Sequence, residues 1–182
     1  ATGFGLGVEV NGGWSQMQVV PEEWLLKIPT GLSAQEAMTF GTAAVTAAMI
    51  VSDIDKRGID PQAAIYVTGA SGGVGSFALI LLQELGYSNL VAISRKQETH
   101  LNDLKDVKVL SPEAVVPEKV KPLNSQTIAI LIDTVGSDLA GLLPQIKQNG
   151  IVYACGNAGG NELTTTVLPF ILRGIQLIGI DS

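Results

Sequence analysis

An α/β fold built on a doubly wound parallel sheet is the class this sequence predicts, on three observations. Short β-rich runs alternate with apolar helical stretches from residue 64 onward; a glycine-rich turn joins the first run to its helix; and the run over 127–132 is continuously apolar and β-branched, as in a strand covered on both faces. Six such runs, joined by right-handed crossovers, give a six-stranded Rossmann sheet of order 3-2-1-4-5-6. Ligands of these sheets lie at the carboxyl ends of the strands, at the switch point between strands 1 and 4. The loops after Thr68, Ile93, Ile132 and Ala154 should therefore converge on one crevice.

The first 60 residues do not share this pattern. Gly12-Gly13-Trp14, followed by Ser15, Met17 and Val19, alternates like a strand, and Val20-Pro21-Glu22-Glu23 turns the chain. Ser33-Ala34-Gln35-Glu36 is a capping box, so a helix starts there and runs toward Phe40. Gly41 and Thr42 interrupt it, and an apolar helix resumes over 43–54. This stretch has too few strands to close a core. The expected organisation is the tail of a preceding catalytic β domain at 1–32, connecting helices at 33–60 and a dinucleotide-binding domain at 61–182. A start without Met and a stop directly after an apolar strand read as an excised domain.

From there strands are expected over 64–68, 90–94, 107–110, 127–132, 151–154 and 176–180. Helices are expected over 73–85, 97–105, 138–148, where Asn149-Gly150 reads as the stop, and 168–172. Pro112, Pro117 and Pro122 leave the connection over 111–125 little regular helix.

The turn after the first strand carries the chemistry. Gly69, Gly72 and Gly75 stand at G-x-x-G-x-x-G spacing between a strand and a helix, with a second strand about 20 residues on, which is the context a dinucleotide-binding turn requires. Glycine there permits the tight turn, lets the backbone approach a pyrophosphate and lets helix and sheet pack closely. The helix then aims its unpaired N–H groups and its positive dipole end at the phosphates. At the end of the second strand stand Ser94, Arg95 and Lys96, with no acid until Glu98. A carboxylate there would serve the ribose hydroxyls of NAD, whereas a guanidinium grips the 2′-phosphate of NADP, so NADP is the expected cofactor.

Composition fits a soluble, cytoplasmic domain. Of 182 residues, 46% are hydrophobic and 15% charged, and no spanning helix or signal peptide is expected. A net charge of −6 offers no basic patch to nucleic acid, so an anion must be held locally. The single cysteine, Cys155, reads as a small buried hydrophobe, and the single histidine, His100, as solvated; no intramolecular disulfide and no zinc cluster are expected.

The runs Gly41-Thr42-Ala43 with Thr46-Ala47, 67–76, Ile132-Asp133-Thr134-Val135-Gly136, 154–160 and 168–174 together resemble the medium-chain dehydrogenase/reductase superfamily. More narrowly they resemble its zinc-independent quinone oxidoreductase and acrylyl-CoA reductase branch, over almost the whole chain. The resemblance implies an N-terminal GroES-like domain, most of it outside this chain, and reduction by NADPH of an activated carbon–carbon double bond in an enoyl thioester, enone or quinone. By position it implies pyrophosphate binding at Ser71, Gly72, Gly73 and Val74, beside Gly69 and Gly75 of the turn. The 2′-phosphate goes to Ser94, Arg95 and Lys96, the choice between the two cations staying open. The nicotinamide goes near Thr42, Val135 and Asn157. Thr42 is the one candidate catalytic side chain, with a helix-cap role equally open, and most groups touching substrate would come from the missing segment. This chain alone should thus bind NADPH and catalyse little. The resemblance also implies a homodimer through strand 176–180, in keeping with an apolar edge that would otherwise be unpaired.

Two alternatives differ in class. Thr68 to Gly75 also fits the turn of short-chain dehydrogenases, but Tyr66, Tyr87 and Tyr153 are followed four residues on by Ala70, Val91 and Asn157 rather than by Lys. A non-catalytic NADP-sensing or scaffold module would share the turn and lack turnover.

Overall fold

The computed structural model describes residues 3–96 and 100–181. Six strands form one parallel sheet in the order β3-β2-β1-β4-β5-β6, as the crossover rule requires. They are β1 (Ile65–Thr68), β2 (Leu90–Ile93), β3 (Val107–Leu110), β4 (Ile128–Asp133), β5 (Ile146–Ala154) and β6 (Gln176–Gly179). Among the described residues five α-helices accompany them: α1 (Ala34–Lys56), α2 (Gly73–Glu84), α3 (Pro112–Val115), α4 (Leu139–Leu142) and α5 (Leu168–Arg173).

Strand alternation sends side chains to two cores. Ile65, Val67, Ile130, Ile132, Ile151 and Tyr153 pack under α1 and α2, while Ile128, Leu131 and Val152 pack with Leu139, Leu142 and Leu143 on the opposite face. Both faces are apolar because both are covered, the reason β4 reads as an unbroken hydrophobic run.

The Ser33 capping box forms as expected, its hydroxyl accepting from the Glu36 amide at 3.2 Å while a Glu36 carboxylate oxygen accepts from the Ser33 amide at 2.8 Å. The expected interruption at Gly41 is also present: φ 51° and ψ −160° break α1 into two segments. By length and composition α1 is the one helix among the described residues able to cross a bilayer, against the expectation of none. Its second segment buries Thr46, Ala47, Ile50, Val51 and Ile54 against α2 and the sheet, as the core helix of a globular unit does.

Three expectations are corrected. The helix placed over 138–148 ends far earlier: α4 stops at Leu142, a 3-10 turn holds Leu143–Gln145, and β5 begins at Ile146. Pro144 cannot continue an α-helix, and Ile146 is fully buried opposite Ile128. Asn149-Gly150 is a bulge, with Asn149 at φ 59°, because Ile128 and Ile130 face Ile146 and Ile151 across the ladder. The strand expected over 12–19 does not form; Trp14, Met17 and Val19 are exposed, with no partner strand among the described residues. Of the helix over 97–105, residues 97–99, including Glu98, lie outside the described residues, and His100–Asp103 forms a 3-10 turn that buries Leu101.

The end of α1 is pinned to the sheet by one carboxylate. Asp53 accepts from the hydroxyl of the fully buried Tyr153 at 2.7 Å and from Arg57 Nε at 2.7 Å, and Arg57 reaches the Gln176 side chain at 3.3 Å. The Tyr153 hydroxyl, then Arg57, holds the Asp53 carboxyl below its ordinary 3.8. A depressed carboxylate contributes stability that is present above its unfolded value and lost as pH falls through the lower folded value. Tyr153→Phe is therefore expected to cost about 1 kcal/mol or less at pH 7, a hydrogen bond to a charged group discounted because Asp53 is partly in water. In urea titrations at successive pH values, its deficit from the unsubstituted protein should shrink as Asp53 protonates.

Candidate nucleotide-binding site

The loops at the carboxyl ends of β1, β2, β4 and β5 enclose a crevice of about 510 Å³, with the loop after β3 at its edge. β1 ends at Thr68 and turns through Gly69 at φ 56°, a conformation that costs a residue with a Cβ and none for glycine. A Cβ there would also collide with the Thr134 hydroxyl. Gly72 caps α2 in extended geometry, its amide donating to Gly69 O at 2.8 Å. The first amides of α2 have no partner within the helix and face the end where an anion would sit. A Cβ on Gly73 would come within 2.9 Å of Ala43 Cβ, so close packing of α1 on α2 needs glycine there too.

The second strand delivers the polar floor. Ser94 is buried, donates from its hydroxyl to Ser71 Oγ at 3.2 Å and accepts the Lys96 amide at 3.1 Å. Arg95 and Lys96 stand exposed on the rim just beyond it. The opposite wall comes from β4, where Asp133 is fully buried at the strand end and Thr134 and Val135 line the crevice. Ala158 and Gly159 close the wall from the loop after β5, the Gly159 amide donating to Val135 O at 2.8 Å. Glycine-lined backbone, helix amides, two serine hydroxyls and two cations make a cradle suited to a phosphorylated ligand with a second anionic group at its β2 end.

Of the residues expected here, Gly69, Ser71, Gly72, Ser94, Arg95, Lys96 and Val135 line the crevice together. Gly73, Val74 and Gly75 lie in the first turn of α2 behind it; Gly75 is buried, where a Cβ would meet Ala70 Cα and Gly69 O at 2.7 Å. Asn157 is exposed in a shallow neighbouring depression with Cys155 and Gly179, and Thr42 is exposed just after the Gly41 break, one residue before the Ala43 that meets Gly73. Ser137, Asp138, Ala158 and Gly159 were not anticipated individually; their signal was their place in loops after strands 4 and 5. His100 is exposed, as expected, and among the described residues no cluster of three His, Cys, Asp or Glu side chains forms a metal site.

No protein-family profile matches the chain. It is 45% identical over its whole length to the Escherichia coli protein named as a probable acrylyl-CoA reductase, AcuI, and 41% identical to the Bacillus subtilis protein YhfP, named for quinone oxidoreductase activity. It spans 56% of the length of each. Among solved structures, the YhdH oxidoreductase of Salmonella enterica in complex with NADP superposes with a TM-score of 0.90 at 45% identity. The Bacillus subtilis YhfP structure with NAD bound gives 0.91 at 42%; the chain is covered fully by both and covers 56% of each.

Cys155 lies in the neighbouring depression, directly after β5. Its thiol is half-buried and donates to Asp133 O at 3.4 Å, and burial, then the Asp133 charge, push it up to about 11. The thiol therefore stays protonated at neutral pH. Alkylation by iodoacetamide at pH 8 should run at least tenfold slower than for glutathione, in a mass-spectrometric time course.

Proposed function

The chain belongs to the medium-chain dehydrogenase/reductase superfamily, with the acrylyl-CoA reductases and quinone oxidoreductases, and from that premise we propose that it is the NADPH-binding domain of a reductase acting on activated carbon–carbon double bonds. The observation that carries the cofactor assignment is the crevice itself: a glycine cradle at a helix N-terminus where the end of β2 presents Ser94, Arg95 and Lys96, with Glu113 of α3, which follows β3, also in the lining. The proposed domain division places residues 33–60 as the connecting segment, residues 61–182 as the cofactor domain and residues 1–32 with the preceding catalytic β domain.

When bound, NADPH supplies the hydride, delivered to the β-carbon of an enoyl thioester, enone or quinone. This chain's share is binding and orientation. Gly69, Ser71 and Gly72 with the first amides of α2 take the pyrophosphate, Arg95 or Lys96 beside Ser94 takes the 2′-phosphate, and Val135 forms the wall of the nicotinamide end. Thr42 and Asn157 join that end from its margins. Fixed donors aimed at the cofactor replace its water shell without reorganising during reaction, which is how such a domain contributes to rate.

For the assembly we propose a homodimer through β6, the sheet edge. Gln176, Leu177 and Gly179 are exposed along it, and Ile171 and Leu172 of α5 are exposed nearby in sequence. An unpaired apolar edge of this kind is stabilised by a second copy pairing with it. Light scattering at high protein concentration should give twice the chain mass, and Leu177→Lys should return it to the monomer value; a monomeric unsubstituted protein would count against the dimer.

Calorimetric titration with NADPH and NADH tests the cofactor. Arg95→Ala is expected to weaken NADPH at least tenfold and NADH less than threefold, as removal of a charge-assisted phosphate contact predicts. Tighter binding of NADH, the oxidised form of which occupies the Bacillus relative, would reverse the assignment.

A further inference from the structure

Asp133 is the only carboxylate without solvent exposure among the described residues, and no role in cofactor contact accounts for it. Three donors face its carboxylate. The Thr68 hydroxyl donates to Oδ1 at 2.6 Å, the Gly136 amide donates to Oδ2 at 3.0 Å, and the Val135 amide approaches Oδ1 at 3.4 Å. The Thr68 hydroxyl gives its one proton to the carboxylate, which only accepts, and its oxygen accepts the Thr134 amide at 3.0 Å. The Thr134 hydroxyl closes the ring by donating to Thr68 O at 2.9 Å.

The ring joins the end of β1, where the phosphate turn starts, to the loop after β4, and through the Gly159 amide on Val135 O to the loop after β5. Arg95 follows β2, on the other side of β1 in the sheet. The carboxylate thus braces one end of the crevice and leaves the β2 end to other groups. An amide at 133 would turn its NH₂ either toward the Gly136 amide, a donor, or toward the Thr68 hydroxyl, which would then have to give up its own donated bond to residue 133.

We infer that Asp133 is a positioning residue: through Thr68 and the amides of Val135 and Gly136 it fixes the wall against which the nicotinamide half of the cofactor rests, and not the site of the adenosine half. The inference rests on the NADPH assignment. Burial raises the Asp133 carboxyl above its ordinary value, so the strand end carries a cost that its donors must offset.

The test compares NADPH with 2′,5′-ADP, which keeps the adenosine and 2′-phosphate and lacks the nicotinamide, by calorimetry on the purified protein. Asp133→Asn and the near-isosteric Thr68→Val should each weaken NADPH tenfold or more while leaving 2′,5′-ADP within twofold, and Thr68→Ser, which keeps the hydroxyl, should restore NADPH binding. A purely structural role would weaken both ligands alike, and that result, or unchanged NADPH affinity in Thr68→Val, overturns the inference. If Asp133→Asn is unfolded by circular dichroism, Thr68→Val decides. Failure of the unsubstituted protein to bind either ligand would instead refute the cofactor assignment, and the inference with it.

Discussion

The hydrogen bond between Thr68 and Asp133 holds the molecule together where a parallel sheet is weakest. At the switch point the chain leaves β1 toward one face and β4 toward the other, so beyond the last ladder bond nothing in the sheet itself keeps the two loops in register. A hydroxyl at 2.6 Å from a buried carboxylate does so, and the low local dielectric that makes such a group costly when unpaired also strengthens the bond once made. The phosphate turn and the crevice wall both hang from this point. Gly69 must lack a Cβ because the Thr134 hydroxyl, drawn in by Thr68, occupies that space.

The same economy bears on how an acidic protein could hold the anionic cofactor proposed for it. With a net charge of −6, the long-range field opposes a dinucleotide phosphate, so attraction has to be short-ranged. Backbone amides at the start of α2 act over a single turn of helix, and Arg95 and Lys96 sit directly at the rim. Close packing makes this possible: Gly73 against Ala43 and tilted Phe40 and Phe77 rings 5.8 Å apart seat α1 on α2, which keeps the N-terminus of α2 fixed in front of the crevice.

Much of this was legible in the residues because the signals were local. The strand order followed from alternating runs, the break in α1 from Gly41, and the tight turn between β1 and α2 from glycines whose steric need the structure displays at 69 and 75. The misreadings came where a local signal had two meanings. Asn149-Gly150 resembles a helix stop and is a bulge, a distinction that depends on Ile146 being buried against Ile128, a pairing distant in sequence; Pro144 was the local clue. Alternation at Gly12 to Val19 promised a strand that lacks a neighbour to pair with. Asp133 stood at the end of an unbroken apolar run, yet its role depends on Thr68, 65 positions away. Of the residues placed by resemblance, Asn157 lies in a neighbouring depression and Thr42 lies outside the lining of the crevice.

Ser94 and Arg95 are adjacent in the chain and opposite in environment. The serine is sealed into the strand end, with its hydroxyl tied to Ser71 of the glycine-rich turn, while the arginine stands in water. Substitution at 94 would disturb packing, and substitution at 95 or 96 would alter only the charge presented at the rim. Under the proposed cofactor assignment, the charge that selects a nucleotide could therefore be changed at 95 or 96 while the interior stays the same.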